Sequence, residues 1–149
     1  MKMRKKRMMD ESGISLVEVV ASMAILSLLL TTFLMMFIQS AKIAKSSENI
    51  IDATYIAQTE MERLYGVSLN TKYAERETKI VELGYLKKEQ QGNYLTFEKI
   101  DIETGALIKV EVKHHPPYPN MTNVIVEVYE SINTPLRAQM ENILVWGEG

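Results

Sequence analysis

Twenty consecutive residues, Val19 to Ile38, carry no charge, no glycine and no proline. As a helix they reach about 30 Å, the thickness of a bilayer's hydrocarbon core. No other stretch of the 149 residues limits the fold so strongly. The run continues an apolar segment that opens at Gly13, and between Gly13 and Ile38 the one ionisable residue is Glu18. A carboxylate inside a membrane helix costs about 2.5–3.5 kcal/mol on insertion scales, and it marks a function more often than an accident. Seven of the ten methionines lie in this helix or before it (Met1, Met3, Met8, Met9, Met23, Met35, Met36), where they serve as soft apolar filler.

Before the apolar run stands a basic leader, residues 1–13, with Lys2, Arg4, Lys5, Lys6 and Arg7. Its charge holds this end in the cytoplasm and sends residues 39–149 across the membrane. The leader has five basic residues and two acidic ones, Asp10 and Glu11. Taken from the 17 basic and 19 acidic residues of the chain, they leave 12 and 17, a net charge of −5. That balance argues against nucleic-acid binding by bulk electrostatics. There is no cysteine, hence no disulfide and no thiolate metal site, and an outer domain must be stable through its core alone.

Two plain readings of the apolar run compete with a specialised one. A secretory signal has an apolar region of about 7–15 residues, and here the run is longer. The segment after it, Ser40 to Ala44, has Lys42 in the middle and makes a poor signal-peptidase site. A simple single-pass anchor fits the length but leaves Glu18 without a purpose.

The junction Gly13-Ile14-Ser15-Leu16-Val17-Glu18 resembles the cleavage and methylation motif of type IV prepilins. In that family a basic leader ends in glycine, the next residue becomes the new N-terminus, and a glutamate follows at its fifth position within an apolar helix. Gly13, Ile14 and Glu18 occupy those places. The family usually has phenylalanine after the glycine, and this chain departs from it with Ile14. It also lacks the glycine or proline that many major pilins carry within the apolar half. The later stretch IAQTEMERL, together with EVVASMAILSLL, is more similar to minor pilins and pseudopilins. The motif and its helix cover roughly the first quarter of the chain.

The resemblance implies cleavage between Gly13 and Ile14, N-methylation of Ile14 and growth of a filament from the membrane. It implies as partners other pilin subunits, a prepilin peptidase, and an assembly platform with its ATPase. It implies a role in adhesion or motility, protein secretion or DNA uptake, without choosing among them. It also gives Glu18 a partner. The freed amine of Ile14 would sit at the positive end of a helix dipole, an unfavourable place for a cation. Glu18 lies one turn on and can offset that amine in its own subunit or in a neighbour. Between subunits such a pair would set axial register, because a slipped neighbour leaves both charges unpaired among apolar groups. The alternative is a membrane-anchored extracellular binding domain that does not polymerise.

Beyond the membrane segment (14–38), Gln39 to Tyr65 again lacks glycine and proline. Ile43, Ile50, Thr54, Ala57, Met61 and Leu64 fall at helical spacing, so one helix is expected from about Ile14 to Tyr65, with Gly66 as its stop. The period then changes to two. A short strand is expected over Thr78–Leu86, a hairpin over Asn93–Glu103 and Ala106–His115 with its turn at Thr104-Gly105, a strand over Asn123–Tyr129, and a last one within Ala138–Trp146. The expected class is α+β: a long helix packed on an antiparallel meander of about four strands.

No catalytic set emerges, no cofactor motif is present, and no metal ligands group together. His114 and His115 are adjacent on a strand and point to opposite faces, which does not suit one ion. Asp101 and Glu103 read as solvated turn acids rather than calcium ligands. Asn120-Met121-Thr122 fits the glycosylation pattern, and Tyr118 and Trp146 read as core or edge packing residues sooner than as contact residues for a partner. No nucleophile elbow and no phosphate loop occurs. A structural role, not an enzymatic one, is expected.

Overall fold

The computed structural model describes residues 15–88 and 94–147. Helix α1 spans Leu16–Leu69. By contacts the chain divides into two units at Ala44 and Lys45.

In the first unit every described residue of the helix is exposed. With about 1.5 Å per residue, its apolar part is long enough to cross a membrane. Its hydroxyls are satisfied along the helix itself. Ser22 Oγ donates to the Glu18 carbonyl at 2.7 Å, Ser27 Oγ to Met23 at 2.8 Å, Thr31 Oγ1 to Leu28 at 2.9 Å and Thr32 Oγ1 to Leu29 at 2.8 Å. Polar groups paired in this way cost little in an apolar surrounding.

In the second unit α1 lies against a five-stranded antiparallel sheet. A one-turn 3-10 helix (Tyr73–Glu75) leads into α2 (Arg76–Glu82). The strands are β1 (Leu86–Lys87), β2 (Tyr94–Ile100), β3 (Leu107–His114), β4 (Met121–Tyr129) and β5 (Leu136–Val145), in that spatial order. The fold is α+β, a long N-terminal helix and an antiparallel meander, which is the general architecture of type IV pilins. It has five strands rather than about four, the extra one being the two-residue β1.

Alternation sets which face is buried. On β3, Ile108, Val110 and Val112 turn inward, and on β4, Thr122, Val124, Val126 and Val128 do so. They meet Ala53, Ala57, Met61 and Leu64 of α1, while Phe97, Leu144 and Trp146 complete the core. The strand-poor polar residues Lys109, Glu111 and Glu127 fall on the opposite face and pair there.

Three expectations need correction. The apolar stripe on α1 is shifted: Ala57, Met61 and Leu64 are buried, but Ile43, Ile50 and Thr54 are exposed. Ala53, Glu60 and Ser68 take the remaining places on the buried arc. Small Ala53 and Ala57 let the helix approach the sheet, a closeness that larger side chains would prevent. Second, α1 runs through Gly66 to Leu69. A glycine inside a helix costs about 1 kcal/mol against alanine, and here Val67 packs on the core and Ser68 is fully buried beyond it. Packing outweighs propensity.

Third, of Thr78–Leu86 only Leu86 lies in a strand. Residues 76–82 form α2, whose Ile80 is fully buried while neighbouring Val81 is 45% exposed. Lys79 and Glu82 pair at 2.7 Å across one turn, an interaction that only a helix allows at that spacing. Gly84, at φ +91°, ends it with its N–H donated to the Val81 carbonyl at 2.9 Å. Ile80, Val81, Leu83 and Tyr85 contain both periods, and the glycine decides between them.

The main hairpin forms as expected. Gly105 takes the left-handed position at φ +73°, and Asp101 holds the turn. Its Oδ1 accepts the Thr104 N–H and hydroxyl, each at 2.8 Å, and the Glu103 N–H at 3.1 Å. The hydrogen bonds from Thr104 hold the Asp101 carboxyl below its ordinary pKa.

Candidate functional site at the start of the helix

Gly13 and Ile14 lie outside the described residues. The next residue, Ser15, is where helical order begins. It precedes the first helical residue, Leu16, and its carbonyl accepts the N–H groups of Glu18 at 2.9 Å and Val19 at 3.2 Å. Its side-chain Oγ also accepts the Glu18 N–H, at 3.3 Å. Ser15 is therefore an N-cap, and Glu18 stands three residues on. Ser-x-x-Glu is the spacing of a capping box, a local signal that the sequence reading passed over.

Glu18 sits in the first turn and is the acidic residue there. Its position favours a carboxylate, because the amides of the first turn carry the positive end of the helix dipole. The side chain is exposed, with Leu16 at 83% and Val17 at 74% exposure beside it. So the arrangement is an acid on the first turn of an otherwise apolar, unburied surface. An exposed carboxylate in that position can accept a cationic partner.

The candidates in the sheet domain have ordinary structural partners. His114 Nδ1 lies 3.1 Å from the Tyr73 hydroxyl, and His115 stacks on Tyr118 with ring centroids 6.3 Å apart. Trp146 is 1% exposed and donates its indole N–H to Thr122 Oγ1 at 2.8 Å, so it is a core residue. Tyr118 is 52% exposed. Among the described residues no three acidic, histidine or cysteine side chains are grouped to hold a metal ion.

One polar cluster was not anticipated. Glu60 is 3% exposed, on the buried arc of α1. Its carboxylate accepts from Tyr85 Oη at 2.6 Å, Lys99 Nζ at 2.6 Å and Arg63 Nη1 at 2.9 Å. Burial first, and then the bond to Glu60, pushes the Tyr85 hydroxyl well above the usual phenol range, so it remains a donor. The signal was available on a helical wheel: Glu60 falls between Ala57 and Leu64, one residue before Met61, and so must face the sheet.

A groove of about 220 Å³ lies between α1 and the sheet's turn end, lined by Asp52, Ala53, Ile56, Ala106, Val128 and Arg137 among others. Arg137 is held there by Glu130 at 2.6 Å. Neither protein-family models, nor curated proteins, nor solved structures give a match to this chain.

Proposed function

We propose that this chain is a structural subunit of a type IV pilus-like filament, of the minor pilin or pseudopilin kind. It is made as a membrane precursor, trimmed after Gly13 by a prepilin peptidase, methylated on Ile14 and assembled from the membrane with other pilin subunits. Assembly requires a membrane platform and its ATPase. The observation that supports this reading best is Glu18 itself. It is an exposed acid in the first turn of a membrane-length apolar helix, one turn from the residue that trimming would make the N-terminus. In the filament, apolar helix halves exchange lipid for one another at little net gain. The pairing of Glu18 with an Ile14 amine then decides register.

A second reading has one observation in its favour. The Ser15–Glu18 cap gives Glu18 a use in any helix that starts at Leu16, including a monomeric anchor. The two readings part at Gly13. A peptidase that closes on the residue before the cut has no room for a branched side chain. Gly13→Val is therefore expected to leave a full-length precursor in the membrane, detected by its slower migration on an immunoblot. Normal trimming of that variant would contradict the cleavage site.

A further inference from the structure

We propose that Glu60 is a register pin for β1, independent of any role in a filament. β1 has two residues and pairs Leu86 with Glu98 and Lys87 with Phe97. Two pairs hold a strand weakly, and such short edge strands are prone to slip. Carried one step outward, the same antiparallel register sets Tyr85 opposite Lys99. Those two side chains converge on one atom. Tyr85 Oη and Lys99 Nζ each lie 2.6 Å from Oε2 of Glu60, and the Lys99 ammonium stands 4.5 Å from the centre of the Tyr85 ring. Arg63 occupies the other carboxylate oxygen at 2.9 Å.

Three elements, α1, the residue before β1, and β2, thus meet at a single buried carboxylate. A slip of one residue turns Tyr85 to the other face of the sheet, since side chains alternate. A slip of two sets Tyr85 opposite Phe97 or Asp101, and Tyr85 and Lys99 can no longer share Oε2. Every register but one leaves a buried hydroxyl or ammonium without its acceptor, and such orphaned groups are expensive. A buried ion pair adds little stability over an apolar pair of the same volume, whereas breaking it from one side is costly. The device therefore works by excluding alternatives. Lys99 serves it by facing inward on a strand whose other inward residues, Leu95 and Phe97, are apolar.

The test uses the full chain in detergent micelles, with thermal unfolding and amide hydrogen exchange read by mass spectrometry. Glu60→Gln is expected to lower the unfolding midpoint by several degrees, because Lys99 keeps its charge without a counter-ion. The double variant Glu60→Met with Lys99→Met is expected to recover only part of that loss, since the unpaired ammonium is gone while the buried Tyr85 hydroxyl still lacks its acceptor. Exchange at Leu86 to Lys88 should quicken about tenfold while β3 and β4 stay protected. Should Glu60→Gln fail to fold, Lys99→Met alone, which leaves Glu60 held by Arg63 and Tyr85, carries the same exchange readout. Unchanged exchange at β1 in the double variant would overturn the proposal. Faster exchange spread evenly over the whole sheet would also overturn it, since that is general loosening and not a slipped strand.

Discussion

Replacing Glu18 with valine is expected to give a trimmed protein that stays in the membrane and is missing from sheared surface filaments. The substitution acts differently in a lone anchor and in a filament. In a lone anchor, removing an acid from the first turn forfeits a helix-dipole interaction of about 0.3–1 kcal/mol and makes insertion easier. Nothing else changes. In a filament, the variant leaves the Ile14 amine without its partner among apolar helices, and losing one half of a buried pair costs about 3–5 kcal/mol. That loss is large enough to exclude a subunit from the lattice. Trimming precedes pairing, so it should proceed. Incorporation of this subunit itself must be measured, because neighbours can sustain filament yield when a minor component is lost. Equal levels of wild type and Glu18→Val in the sheared fraction would refute the pairing role.

The second large effect is expected in the sheet domain, at Trp146. The residue follows β5, is 1% exposed and fills the core beside Leu144. Truncating a buried tryptophan to alanine costs about 3–5 kcal/mol through lost burial and an unfilled cavity. Thr122 Oγ1, also buried, would lose its indole donor, which adds to the cost. Trp146 also ties down the chain end, since its N–H donates to the Asn120 carbonyl at 2.9 Å and the following Gly147 N–H to Thr71 at 2.8 Å. Trp146→Ala should therefore unfold the sheet domain at markedly lower urea, with the apolar N-terminal part of α1 unaffected. Trp146→Phe, which keeps most of the buried area, should lose about 1–2 kcal/mol. An alanine variant within 1 kcal/mol of wild type would show that the site relaxes far more than its burial implies.

The elements that could be read from the residues are those where one pattern acts alone. The uncharged run Val19–Ile38 has one solution, a helix. Ile108, Val110 and Val112 alternate with Leu107, Lys109 and Glu111, and Asn123–Tyr129 does likewise, so both strands and their buried faces follow from period two. Trp146 as a packing residue also follows, since a lone tryptophan near a strand end buries more area than any neighbour. The misreadings occur where two patterns overlap. Residues 78–86 carry apolar side chains at both spacings, and Gly84 settles the matter by ending a helix that α2 makes with Ile80 buried. On α1, Ile50 and Thr54 looked like core, yet Ala53 and Glu60 are inside, because close approach to the sheet selects small residues and Glu60 has three donors waiting. Helical spacing alone puts Glu60 on the buried arc between Ala57 and Leu64, while its charge argues for the surface until its partners are known.

The candidate site divides in the same way. The Gly13–Glu18 resemblance rests on residue types at a fixed spacing, a pattern that a sequence displays directly. The Ser15 cap was equally visible but lay hidden beneath that motif. The groove lined by Asp52, Ile56, Val128 and Arg137 leaves no such pattern, because it is assembled from distant residues and exists only once the strands are in register.

A cut between Gly13 and Ile14 is what separates a filament subunit from a plain anchor. Mass spectrometry of the N-terminal peptide, from protein purified out of its native host, tests it most directly. The account expects a mature chain that begins at Ile14 and carries one added methyl group on its amine. A chain that begins at Met1, or near Ala44 as a secretory signal would leave it, would contradict the account.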